Sequence, residues 1–423
     1  MEKRLKVAIV GAGNRGQVYV DIMAEMPEKY EVVAVAECLD SRRDYVKQTF
    51  GIPDDRCFTD WQGMFALGKI ADLVVIATSD TAHFEPAMAA IQLGYNILLE
   101  KPVAPTAKEC EQVARAAEEK GVNVLVCHVL RYTPFFNTIK KLLLDGAIGE
   151  VCSIDHREHV GFVHQSHSYV RGKWGALDRS AFMLLAKSCH DLDIIQWLLD
   201  KKCLHVQSFG GLHYFVPKNK PEGSPERCID GCPVGDTCPF NAVKLYLKKK
   251  SEWYRGACTG IVNATDEQVE HALRTNQYGK CVFCCDNEVV DRQTVNMLFE
   301  DGVTVTFSMN AFNSGGRHIH IFGTKGELWG SMDNREEPIR VREHATKEVT
   351  EYHVGGKEGL VDDHCGGDHG IVEALHAYMC GTYDGYAASD IRVSVDNHHL
   401  CFAAEQSRLE NRVIDMDEYI KSL

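Results

Sequence analysis

The sequence predicts an α/β protein whose first half is a parallel sheet covered by helices and whose second half forms a further domain. Three observations carry that expectation. A short apolar strand runs directly into Gly11-Ala12-Gly13-Asn14-Arg15-Gly16. Apolar runs and helical segments then alternate as far as residue 126. Finally, 423 residues exceed the usual size of one domain and suggest two or three.

The first strand, 5–10, ends at the glycines. Gly11 permits a tight turn, Gly13 lets a pyrophosphate approach the backbone, and Gly16 allows close helix packing. A helix over 17–26 follows, stopped by Pro27, and its N-terminus offers free N–H groups to phosphates. A second strand, 31–37, ends in Glu37, where an acid binds the adenosine ribose. A carboxylate there repels a 2′-phosphate, so NAD is expected in preference to NADP. Arg42 and Arg43, close behind, are the residues that would favour NADP. A near-continuous apolar strand over 71–77 fits a sheet covered on both faces. It leads through the polar loop Thr78-Ser79-Asp80-Thr81-Ala82-His83 into a helix over 84–93. The next apolar run, 95–99, ends in Glu100-Lys101-Pro102. A charged pair at a strand's carboxyl end is placed where α/β sheets bind ligands, and Pro102 holds Lys101 extended. A helix over 107–119 and a strand over 122–126 close a Rossmann domain of residues 1–126.

The second domain, 127–423, starts with a helix from Arg131 to Leu144. A strand over 151–160 runs into a loop over 161–174. Its His164, His167, Tyr169, Arg171 and Trp174 combine hydrogen-bonding groups with rings and read as a sugar pocket; an exposed polar loop is the alternative. Residues 182–199 read as one amphipathic helix with Lys187, His190 and Asp191 off its apolar stripe. A neutral histidine suits proton removal from a hydroxyl, and Asp191 or Asp193 is placed to orient His190. A histidine on a solvent-facing helix is the competing reading. Residues 217–260 form a cysteine-rich insertion with Cys228, Cys232, Cys238 and Cys258. Their spacing differs from paired zinc knuckles, leaving structural zinc, free thiols or a disulfide open. A helix is expected over 241–253, and strands over 281–283, 295–299, 303–309 and 318–323. The polar stretch from Asp362 and Asp363 to His369 precedes a helix. Another helix covers 388–408, and 413–416 is a strand or turn.

Composition narrows the function. Apolar residues make up 45% and charged residues 25%, as in soluble globules. A formal charge of -14 argues against nucleic-acid binding. No membrane segment or leader pattern is visible. The 17 cysteines mostly sit singly in apolar segments, as in a reducing compartment, so cytoplasm is expected.

The sequence resembles the glucose–fructose oxidoreductase, inositol dehydrogenase and MocA family (Gfo/Idh/MocA). The matching pieces are the glycine fingerprint, Ala77-Thr78, His83, Glu100-Lys101-Pro102 and His190-Asp191-Leu192-Asp193. Gly323-Thr324-Lys325-Gly326-Glu327-Leu328 and Gly366-Gly367-Asp368 follow in the same order. The resemblance implies a C-terminal α/β domain with an open, mostly antiparallel sheet. It also implies hydride transfer between nicotinamide and a secondary hydroxyl or ketone of a sugar or cyclitol. Lys101 would contact the reacting hydroxyl and His190 exchange its proton, with a cis bond before Pro102. Gly11, Gly13, Asn14, Arg15, Gly16, Glu37, Ala77, Thr78, His83, Glu100, Lys101 and Arg131 would form the cofactor side. Lys187 and Asp191 would join the loop residues on the substrate side. The expected partner is a small carbohydrate, and the assembly a homodimer or homotetramer. One departure stands out: relatives carry a carboxylate four residues before the histidine, whereas this chain has Ala186 followed by Lys187. Two rival readings remain: a glycosidase that oxidises its sugar transiently on bound NAD, and a non-catalytic NAD sensor.

Overall fold

The computed structural model describes residues 3–334, 336–355 and 364–423. Asp362 and Asp363 lie outside the described residues. The first sheet comprises β1 (Leu5–Val10), β2 (Tyr30–Ala36), β3 (Cys57–Phe58), β4 (Leu73–Ile76), β5 (Asn96–Leu99) and β6 (Val124–Val126). All are parallel, in the order β3-β2-β1-β4-β5-β6. Every residue of β4 is buried, because helices cover both faces. The order reverses between β1 and β4. Their carboxyl ends therefore form the crevice at which such sheets bind ligands, and the glycine turn and the loop after β4 both sit there.

The second sheet comprises β7 (Val151–His159), β8 (Cys203–Gly211), β9 (Arg292–Phe299), β10 (Thr304–Asn310) and β11 (Gly316–Gly323). It continues with β12 (Gly326–Ser331), β13 (Ile339–Glu343), β14 (Val349–Tyr352) and β15 (Ile414–Asp415). The order is β14-β13-β12-β11-β7-β10-β9-β8-β15. Only β7 and β10 run parallel; the other neighbours are antiparallel. Burial alternates along β10, as in a sheet with one covered and one open face. The helices Cys189–Leu199 and Ile391–Glu410 lie on the covered face. The protein is thus a Rossmann domain followed by a mixed, largely antiparallel α/β domain.

Several local expectations are corrected. The helix over 182–199 is two helices, Met183–Ala186 and Cys189–Leu199, separated at Lys187 and Ser188. The second is buried on all sides except Gln196, so His190 does not face solvent. The loop over 161–174 is largely helical, with a π-helical stretch at Gln165–Arg171. The helix over 241–253 is a π-helical turn, Val243–Lys248, followed by a separate helix, Glu252–Thr259. Residues 281–283 are a turn, because Cys281 and Phe283 pack into a satellite core rather than along a strand. The excursion between β8 and β9 therefore covers 212–291. Among the described residues no two cysteines are joined in a disulfide. Among the described residues no helix is long and apolar enough to cross a membrane.

Candidate functional site

The glycine turn is built as its sequence demands. Gly11 has φ +87°, and a Cβ on it would lie 2.7 Å from the Ala77 carbonyl oxygen. A Cβ on Gly16 would lie 2.2 Å from the Gly11 oxygen, so the helix packs directly on the turn. Gly13 precedes the helix Asn14–Ala24, and no side chain caps the helix N-terminus. A Cβ there would meet only the Arg42 Nη1, at 3.6 Å. That open space beside unsatisfied N–H groups fits a pyrophosphate. The Glu37 carboxylate accepts from Ala12 N at 2.7 Å and Leu39 N at 2.9 Å, which fixes it beside the turn. Arg43 is committed to the Glu37 carbonyl and to Asp40.

Arg15 and Glu100, both expected on the cofactor side, instead bind each other. Arg15 Nε donates to Glu100 Oε1 at 2.8 Å, and its Nη atoms reach Asp368 at 2.5 and 3.1 Å. Tyr19 OH donates to Glu100 Oε1 at 2.6 Å. Burial opposes ionisation of Glu100, but Arg15 and Lys101 outweigh it and hold the carboxyl below its usual range.

Lys101 follows β5, and the Lys101–Pro102 peptide is cis. His83 Nδ1 donates to the Pro102 carbonyl at 2.7 Å. The Lys101 ammonium donates to the Ala186 carbonyl at 2.7 Å. That carbonyl stands at the break between the two helices. The lysine is thereby held at the turn that launches the His190 helix. His190 is 4% exposed, and its Nδ1 has no hydrogen-bond partner. Its ring lies 5.8 Å from that of His128 and 5.9 Å from that of His364. Burial, then the charge of Lys101, pushes its pKa well below the usual imidazole value. It is neutral at neutral pH.

A buried ion network lies beside this pair. Lys187 Nζ is 3.4 Å from Glu158 Oε1, and Arg317 Nε is 2.6 Å from Glu158 Oε2. Arg317 Nε also donates to Asp191 Oδ1 at 2.9 Å, and His156 Nε2 donates to the same oxygen at 2.9 Å. Asp191 therefore does not orient His190, and neither does Asp193, which holds Arg131 at 2.6 and 2.7 Å. Arg131 is 2% exposed and committed to Asp193 and the Ala388 carbonyl, so its guanidinium is not free for a cofactor. Burial keeps the Lys187 pKa below its usual value despite Glu158. Glu158 and Arg317 are functional candidates that sequence reading missed. Strand parity was the available signal, since His156 and Glu158 share the covered face of β7.

The pocket residues divide. The His164 ring lies 5.7 Å from that of Tyr169, and burial, then Lys187, holds its pKa well below normal. The Trp174 ring is 6.1 Å from Tyr169, and its Nε1 donates to Asp80 Oδ2 at 3.0 Å. Asp80 belongs to the loop after β4, so Trp174 ties the second domain to the crevice. Lys173 Nζ sits 4.7 Å from the Trp174 ring centroid. His167 and Arg171 are not brought to this group. His167 bonds Tyr246 at 2.8 Å among Trp253, Tyr254 and Tyr278. Arg171 donates to the Lys280 and Phe240 carbonyls at 2.8 and 2.7 Å. Both are drawn into the excursion because its aromatic and backbone groups are their nearest partners.

The two domains have counterparts among known proteins. Residues 5–128 match the NAD-binding Rossmann fold of the Gfo/Idh/MocA oxidoreductase family, and residues 140–363 match its C-terminal alpha/beta domain. YteT of Bacillus subtilis is 25% identical over 293 residues, covering 67% of this chain and 65% of YteT. The scyllo-inositol 2-dehydrogenase (NADP(+)) IolW of the same organism is 34% identical over 147 residues, covering 35% of this chain and 39% of IolW. The matched stretch thus spans less than two thirds of either relative. The crystal structure of an NAD binding oxidoreductase from Klebsiella pneumoniae superposes with a TM-score of 0.70 at 18% identity, covering 98% of this chain and 99% of that one. With both family domains present in order over most of its length, this chain belongs to the Gfo/Idh/MocA oxidoreductase family.

Proposed function

We propose that this protein transfers hydride between NAD(H) and a secondary hydroxyl or ketone of a sugar, sugar derivative or cyclitol. The observation that carries the reading is the pairing of Lys101, fixed on the Ala186 carbonyl, with His190, a buried neutral imidazole whose Nδ1 is unpartnered. Residues 1–126 would hold the cofactor and 127–423 the substrate, in a homodimer or homotetramer. The open cradle at Gly13 and the uncapped helix behind it fit a dinucleotide. Glu37 beside that turn favours NAD, since its charge opposes a 2′-phosphate; Arg42 is the residue positioned to oppose that preference. Bound nicotinamide supplies the hydride acceptor.

The chain's own residues do the rest. Lys101 donates a hydrogen bond to the substrate oxygen and stabilises the negative charge it gains as its proton leaves. His190 accepts that proton, leaving a carbonyl, and passes it to solvent. The depressed pKa keeps the imidazole unprotonated at neutral pH and makes the imidazolium release its proton readily, while weakening it as a base. Lys187, Arg317 and Glu158 fix the far wall, with His164, Tyr169 and Trp174 beside them. IolW, by its name a scyllo-inositol dehydrogenase, supports cyclitols as the first substrates to test.

The test follows NADH formation across cyclitols, aldoses and aryl glycosides with NAD+ and NADP+. Lys101→Ala and His190→Ala should each lower kcat by about 10²–10⁴-fold while retaining NAD affinity. Full turnover in Lys101→Ala would overturn the assignment. Cleavage of an aryl glycoside without net NADH would replace dehydrogenation by the elimination reading.

A further inference from the structure

Cys228, Cys232 and Cys238 come from one end of the excursion between β8 and β9, and Cys281 from the other. All four line one cavity of about 20 Å³ whose remaining walls are mostly apolar. The ends are already joined by backbone bonds, Cys281 N to the Glu226 carbonyl at 2.7 Å and Cys228 N to the Gly279 carbonyl at 3.0 Å. All four thiols are free. Cys258, grouped with the first three from spacing alone, lies instead in a separate apolar cluster with Tyr246, Val269 and Leu273.

Arg171 lines the same cavity and is 1% exposed. One Nη atom approaches Cys228 Sγ at 3.6 Å, while Nη1 has no hydrogen-bond partner. Among the described residues no carboxylate pairs with this guanidinium. A buried cation without a counter-charge is expensive, and neutral thiols do not supply one. Four thiolates around a divalent cation carry net negative charge and would supply that counter-charge.

We propose that Cys228, Cys232, Cys238 and Cys281 form a tetrathiolate centre for a thiophilic metal, a zinc ion or an iron–sulfur cluster, with Arg171 donating to its sulfurs. Each thiol gives up its proton on binding, so uptake of the metal releases acid. No group of three His, Cys, Asp or Glu side chains already stands in ligating geometry among the described residues; the metal draws the thiols in from the cavity wall. The centre would staple the two ends of the excursion. Through Arg171 it would also anchor the segment Gln165–Arg171, which carries Tyr169 to the candidate active site.

The experiment uses the full chain purified anaerobically without chelator, and scores zinc, iron and acid-labile sulfide per chain. The expected result is one centre per chain: either one zinc and no colour, or iron with matching sulfide and visible absorption. A mercurial reagent should release the metal as the protected thiols react. Cys281→Ser and Cys228→Ser should lose the metal, and Cys152→Ser, an exposed cysteine on β7, should keep it. Substoichiometric metal that neither zinc nor iron with sulfide restores would overturn the proposal. So would disulfides among the four residues in the anaerobic protein, or full metal content in Cys281→Ser. The mercurial release needs no variant, so a misfolded mutant does not remove the test, and none of these readouts depends on the proposed dehydrogenase activity.

Discussion

Lys187 shows how one residue separates packing from chemistry. Its ammonium faces Glu158, which already holds Arg317, so the lysine is the more dispensable partner of the carboxylate. Lys187→Met keeps the aliphatic stem and removes the charge. If Lys187 binds a substrate oxygen, this variant raises KM severalfold while kcat stays near wild type. A fall in kcat at unchanged KM would instead place the lysine in the proton path with His190. Lys101 and Lys187 stand out in the sequence because a charge at a strand tip or in an apolar segment is visible without coordinates, whereas the choice of His190 rests on the family resemblance. The expectation that Asp191 or Asp193 orients His190 fails, because helical spacing does not reveal which cation on another element each faces. Here Arg317 and Arg131 claim them.

At the scale of elements, one tie between the two halves joins the N-terminal turns of two helices. Asp368 lies in the first turn of the helix Gly367–Met379, where a negative charge is favoured by the helix dipole. It is fully buried against Arg15, in the first turn of the first Rossmann helix. Burial opposes its ionisation, but His364 and Arg15 outweigh burial and hold its carboxyl well below the usual range. Asp368→Asn keeps the shape and removes the charge, leaving Arg15 with Glu100 alone. It should cost on the order of 3 kcal/mol, read as a lower urea midpoint at pH 7.5. A midpoint within error of wild type would show that Glu100 alone satisfies Arg15. The parallel strands were legible as apolar runs bounded by glycine and proline. The break at Lys187 and the π-helical stretches were not: both leave the apolar pattern intact and only tertiary contacts reveal them. In the break, the Ala186 carbonyl freed from its helix is the acceptor that Lys101 takes.

Across the whole molecule, neutral histidines are concentrated where the domains meet. The His128 ring, just after β6, lies 5.8 Å from His190 and 5.6 Å from His398. With His164, these four residues have pKa values well below normal, burial being the largest cause in each. In the unfolded chain each would titrate near pH 6.5. Above that value both states are neutral and the histidines contribute no pH dependence. Below it the unfolded chain binds protons that the folded chain refuses, so stability falls as pH falls until the native pKa values are reached. The cost per histidine approaches about 1.4 kcal/mol per pH unit. For the four together it comes to roughly 4 kcal/mol between pH 6.5 and 5.5. That is comparable to the net stability of a domain. The urea midpoint should therefore be flat from pH 8 to 7 and drop steeply below 6.5. His128→Gln should flatten the drop by about one quarter, since it removes one of four titrating groups. A midpoint that holds constant down to pH 5.5 would mean that the native imidazoles take up protons as readily as those of the unfolded chain, and would overturn the depressed pKa assigned to His190 and its neighbours.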